Sequence, residues 1–257
     1  MSSFIIQLTS FDVIMLVVSA LAGMLLFLGG VFILNKVPAE WLCDYDEQPS
    51  EELLSGKRYK GPFLYVTGSL LSVVAFVMVY LVYGATIYSL VLMALTFVLI
   101  MIILSDGKYF IIPDQFAIFA AVLSLVFAYY DLFNNQYIIK NWWSPLVAGA
   151  GVGLLIILVN LITILIAKKD GMGFGDVKLF AAVGIATGFP NIILALLIAV
   201  VSAFLIIIVT LLVNIIRKKE TENYIPFGPS ICIAVYLVVV LHGPIEYLVN
   251  LYFSLFV

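Results

Sequence analysis

Between Asn191 and Ile216 no side chain carries a charge, and nearly all of them are Leu, Ile, Val, Ala or Phe. At about 1.5 Å of rise per residue, such a run crosses the roughly 30 Å hydrocarbon core of a bilayer as one helix. Soluble domains of ordinary size carry about 25% charged residues, whereas this chain of 257 residues is 65% apolar and 11% charged. Comparable runs occur near 11–34, 63–82, 86–105, 114–130, 144–167, 177–188, 191–216 and 227–241. The expectation is an all-α, polytopic bundle of about eight transmembrane helices forming one integral membrane domain over 1–257. The runs after Asp176 and after Pro226 are short, and the turn at Gly188-Phe189-Pro190 is assigned from its Gly/Pro punctuation. The lipid bilayer is an expected partner, and nucleic acid is not.

Basic residues orient the bundle. Alternate connections place Lys36, Lys57, Arg58, Lys60, Lys108, Lys168, Lys169, Lys178, Arg217, Lys218 and Lys219 on one side and only Lys140 on the other. Eleven against one is a strong positive-inside asymmetry. It puts the N-terminus outside and the connections 35–62, 106–113, 168–176 and 217–226 in the cytoplasm. The first residues, MSSFIIQLTSFDV, lack a basic segment and a small-residue cleavage site, so the first run is read as a retained span.

The cytoplasmic loop at 35–62 is the one sizeable polar element. Its first half is acidic (Glu40, Asp44, Asp46, Glu47, Glu51, Glu52) and its second half basic. It is too short for a core of its own. It reads either as a solvated connection or as a surface that attracts a basic ligand. Cys43 and Cys232 are the only cysteines and fall in unrelated contexts, so no metal ligand set of cysteines is expected.

Ionisable residues at span ends are costly and are functional candidates by default. Asp106 closes the third run (LIMIILSD) and Asp176 opens the sixth (GFGDVKLF), at matching depth on the same side. Two carboxylates sharing a site resist ionising together, so one acts as base and the other as acid toward a single water. The plainer alternative is that both merely face headgroups. Gly171, Gly173 and Gly175 precede Asp176 at alternate positions. They give a backbone that can adopt φ > 0 and that is expected to offer an extended peptide strand-like partners. An ordinary turn is the bland reading, and a phosphate cradle lacks its GxGxxG or GKS/T pattern.

These residues resemble a known family. GFGD (173–176) resembles the GxGD motif of membrane aspartic peptidases, and SDGKYFIIPD (105–114) resembles the other half of the type IV prepilin peptidase signature. GGVFILNKVP (29–38) and IPFGPSICIA (225–234) are similar to the family's segments at the first span and before the last one. The resemblance covers the chain from first span to last and makes 1–257 a single peptidase domain. It implies Asp106 and Asp176 as the catalytic pair, with Asp114 in support; Gly173, Gly175, Lys108 and Lys178 are expected, from their places beside the pair, as supporting or substrate-binding residues. The implied substrates are prepilins or pseudopilins with a basic leader, cut after a glycine on the cytoplasmic side of the inner membrane. No cofactor is implied for proteolysis. S-adenosylmethionine would serve a second, N-methylating activity where that is retained, with Asn35, Pro38 and Gly56 as residues to hold it. The loop departs from the family pattern: Cys43 stands where typical members carry two CxxC pairs, so a zinc-stapled loop is not expected.

Lys108 and Lys178 flank the pair in sequence and are read either as tuning it or as reaching to headgroups. A small secondary transporter is the alternative from another class, and there the acidic residues belong near mid-membrane.

Overall fold

The structure, a computed structural model, describes residues 9–44, 48–134, 138–167, 173–217, 226–243 and 254. All eight apolar runs are helical. In chain order the helices are α1 (Ser10–Lys36), the one-turn α2 (Glu51–Leu54) in the first loop, α3 (Pro62–Tyr83), α4 (Ile87–Tyr109) and α5 (Asp114–Asn134). They continue with α6 (Ser144–Ala167), α7 (Phe174–Thr187), α8 (Asn191–Arg217) and α9 (Gly228–Val240). Six of these are long and apolar enough to span a membrane, so the chain is a multi-pass membrane protein. α7 and α9, with 14 and 13 residues, rise only about 20 Å. Both are enclosed by other helices rather than by lipid, which lets them be short.

Local chemistry sets the helix ends. α1 begins with a capping box in which Thr9 Oγ1 accepts from the amide of Asp12 at 3.2 Å and Asp12 Oδ2 accepts from the amide of Thr9 at 3.0 Å. Tyr80 of α3 donates to Asp12 Oδ1 at 3.1 Å, pinning that end of the bundle. α4 opens on a similar box between Thr86 and Ser89 and closes where Phe110 turns left-handed at φ 57°. Sequence length suggested that Asp106 would end this span. Instead the helix runs on to Tyr109, so Asp106 sits within its last turn. α7 ends at Gly188, where φ is 64° and an added Cβ would lie 2.4 Å from Ile139, as the Gly/Pro punctuation implied.

α4, α5, α7 and α9 pack together as the centre, with α1 and α3 against α4 on one side and α6 and α8 against α7 and α9 on the other. At the end opposite Asp106, the fully buried Asp131 accepts from Tyr88 Oη at 3.0 Å and from the amides of Ile138 and Ile139 at 2.9 and 2.7 Å. Tyr83 Oη reaches the carbonyl of Val239 at 2.5 Å and Tyr236 Oη that of Ala75 at 2.8 Å, bridging α3 and α9.

The first loop folds back on the bundle. Arg58 is 5% exposed, and it donates through Nε to the carbonyl of Leu53 at 2.8 Å and through Nη1 to those of Leu34 and Val37 at 3.0 and 2.8 Å. Carbonyls at a helix C-terminus lack intrahelical donors, and a guanidinium supplies several at once. Asn35 Oδ1 accepts from the amides of Arg58 and Tyr59 at 2.7 and 2.9 Å. Within the acidic half, Asp46 and Glu47 lie outside the described residues.

Candidate active site

Three helices bring their ends together around Asp106. It is 4% exposed on the last turn of α4, and its Oδ2 accepts from the amide of Gly228, the first residue of α9, at 2.9 Å. Asp176 enters from α7 as the third residue of that helix and is half-buried. Both carboxyl groups stand at helix ends that converge on α9, which packs against α4 and α7 alike. The fully buried Cys232 lies one turn into α9, the helix packed against both α4 and α7. Ile112, in the turn between α4 and α5, packs between the helix ends. An added Cβ at Gly175 would meet its Cβ at 3.6 Å, and one at Gly228 its Cδ1 at 3.2 Å. The site therefore consists of two carboxyls from separate helices, one main-chain donor, and apolar walls. Such walls strengthen electrostatic interactions relative to water and exclude competing solvent.

The glycine segment is extended at Gly173 and helical at Gly175. Gly171 lies outside the described residues, Gly173 is extended but at φ −65°, and Gly175 already belongs to the first turn of α7. Neither described glycine adopts positive φ. The helix starts early because the carbonyl of Gly173 accepts from the amide of Asp176 at 3.1 Å. What small size provides here is proximity: an added Cβ on Gly173 would sit 3.6 Å from Asp176 Oδ2. The exposed Gly173 is the one described position of the three with extended backbone beside the carboxyl.

The remaining candidates divide into two ion pairs. Lys178 Nζ pairs with Asp114 Oδ1 at 3.0 Å, joining α7 to the start of α5, and lies 4.9 Å from the centre of the Phe174 ring. Lys108 Nζ turns toward the first loop, where it meets Glu52 Oε1 at 2.6 Å and the carbonyl of Arg58. It also lies over the rings of Tyr59 and Tyr109 at 5.3 and 5.0 Å. Tyr59 in turn donates to the carbonyl of Leu104 at 2.9 Å, and burial raises its phenol well above the usual range, so it stays a donor. Sequence reasoning missed Ile112, Gly228 and Cys232 as neighbours of the pair. The Gly-Pro step ahead of the last apolar run marks a helix start, the one local signal that an N-terminal amide stands there.

Residues 93–209, which include both aspartates, match the type IV leader peptidase family. A prepilin leader peptidase/N-methyltransferase of Pseudomonas putida is 33% identical over 161 residues, 61% of this chain and 51% of that protein. One of Legionella pneumophila is 27% identical over 152 residues, 59% of this chain and 50% of its own length. The chain thus spans about half the length of the curated relatives it matches. No solved structure matches it.

Proposed function

We propose that this chain, whose residues 93–209 match the type IV leader peptidase family, is a membrane-embedded aspartic endopeptidase of the inner membrane. Its substrates are prepilin-like proteins, whose basic leader it removes after a glycine on the cytoplasmic side. The observation that supports this reading is the placement of Asp106 in the last turn of α4 and Asp176 in the first turn of α7, two helices that both pack against α9 and meet around Ile112.

In this reading, one carboxylate takes a proton from water as the oxygen attacks the scissile carbonyl, and its partner protonates the carbonyl oxygen. Collapse of the tetrahedral intermediate breaks the C–N bond, and the departing amine receives a proton from the pair. The extended backbone at Gly173 supports the alignment of a substrate strand beside Asp176. The Asp114–Lys178 pair supports the site by holding the first turn of α7 against α5. A transporter is disfavoured by depth, since both carboxyls stand in terminal turns of their helices rather than midway. The acidic face of the first loop, Glu40, Asp44, Glu51 and Glu52, suits a basic leader.

S-adenosylmethionine would be the methyl donor of the second activity named for the relatives. Asn35 is engaged by the amides of Arg58 and Tyr59, and Gly56 turns at φ 64° with an added Cβ 3.7 Å from the carbonyl of Asn35. These residues build the loop itself, and no cofactor contact is assigned to them.

The test is cleavage of a prepilin in membranes, comparing wild type with Asp106→Ala and Asp176→Ala. Each substitution is expected to abolish cleavage while leaving the protein inserted and folded. Retention of wild-type cleavage by either variant would sink the reading. Mass analysis of the product for one added methyl group reads the second activity in the same samples.

A further inference from the structure

We infer that the main-chain N–H of Gly228 is a positioning group for Asp106, an inference that rests on the peptidase reading above. The first amides of a helix have no acceptor within it, and together they form a partially positive end. At the start of α9 the first of these donors is Gly228, and the next residue, Pro229, carries no N–H. The Gly228 N–H points at Asp106 Oδ2 from 2.9 Å across a sequence separation of 122 residues.

Only glycine permits that approach. A Cβ at position 228 would stand 2.6 Å from Asp106 Oδ2, 3.0 Å from its Cγ and 3.2 Å from Ile112 Cδ1. The carboxyl is 4% exposed and the facing side chain of Ile112 is 9% exposed, so neither has open space into which to withdraw. Pro229 presets the first turn at the cost of an amide that the helix does not need. Phe227 closes that turn through its carbonyl, which accepts from the amide of Ile231 at 3.1 Å. The Phe-Gly-Pro step is thus a device for delivering one N–H to one carboxyl oxygen.

The experiment uses the full-length enzyme in detergent with a prepilin substrate, and reads kcat and KM separately, alongside thermal unfolding. In Gly228→Ala, the Asp106 carboxyl is displaced while the substrate contacts remain. kcat is expected to fall about 100-fold with KM within about twofold. An amide-to-ester replacement of the Phe227–Gly228 linkage removes the donor without adding an atom, and kcat is expected to fall about tenfold at an unchanged KM. Wild-type kcat in the ester enzyme overturns the inference, whatever the alanine variant does. So does a loss confined to KM or explained by a matching loss of folded protein. If the wild-type enzyme itself leaves prepilin uncut, the peptidase reading fails instead.

Discussion

Lys108 Nζ lies 2.6 Å from Oε1 of Glu52, joining the last turn of α4, which carries Asp106, to the short helix of the first loop. The same ammonium meets the carbonyl of Arg58 and the faces of Tyr59 and Tyr109. The loop is thereby fastened to the helix end that holds a candidate catalytic group. Four expectations follow from fastenings of this kind.

Glu52 is exposed, and its carboxyl is held below its ordinary 4.5 by the hydrogen bond from Lys108 and then by that residue's charge. A depressed carboxyl contributes fully above its ordinary value, and the contribution is lost as pH falls through the depressed one. Exposed pairs are weak. Glu52→Gln is therefore expected to lower the melting temperature by only about 1–2 °C at neutral pH. In a pH series of thermal unfolding, that gap closes in acid; a gap that widens there would contradict the assignment.

Asn35→Ala leaves the amides of Arg58 and Tyr59 without their acceptor. The expected loss is about 2–3 kcal/mol of stability, measured by denaturant unfolding in detergent. Arg58→Lys should cost a comparable amount, since one ammonium does not reproduce a fork that serves the carbonyls of Leu34, Val37 and Leu53.

Because hydrogen bonds of Asn35, Arg58 and Lys108 hold the loop, and Cys43 is its only cysteine, treatment with a strong zinc chelator should leave both melting temperature and cleavage rate unchanged. A fall in either, reversed by added zinc, would show that the loop carries a metal.

Among the described residues no carboxylate is more buried than Asp131, yet it serves three donors at the opposite end of the bundle from Asp106. Asp131→Ala should cost about 1–3 kcal/mol or more of stability by stranding those donors. kcat per folded molecule should not change. Parallel kinetics and unfolding would distinguish this structural carboxylate from the pair at the site.

The apolar helices and the placement of Asp106 near the end of one and Asp176 near the start of another were legible in the residues alone. Length of an uncharged run and its flanking lysines are local properties, and the bilayer imposes one solution on them. The turn at Gly188 was legible for the same reason, as a Gly/Pro interruption between two apolar runs. The local form of the glycines before Asp176 was not legible: the amide of Asp176 donates to the carbonyl of Gly173, which leaves Gly175 inside the helix.

Partner choice was a different matter. Lys108 stands two residues from Asp106 in sequence but pairs with Glu52, 56 residues away, because an α-helix sends positions two apart to different faces. Arg58 reads as one more cytoplasmic charge until the ends of α1 and α2 present it with carbonyls to cap. The amide of Gly228 becomes a partner of Asp106 only when α9 is packed against α4. By itself the sequence determined that the chain crosses the membrane repeatedly and keeps two carboxylates at one face. Packing decided which groups meet there, since a contact across more than a hundred residues depends on how whole helices fit together and leaves no periodic trace in either segment.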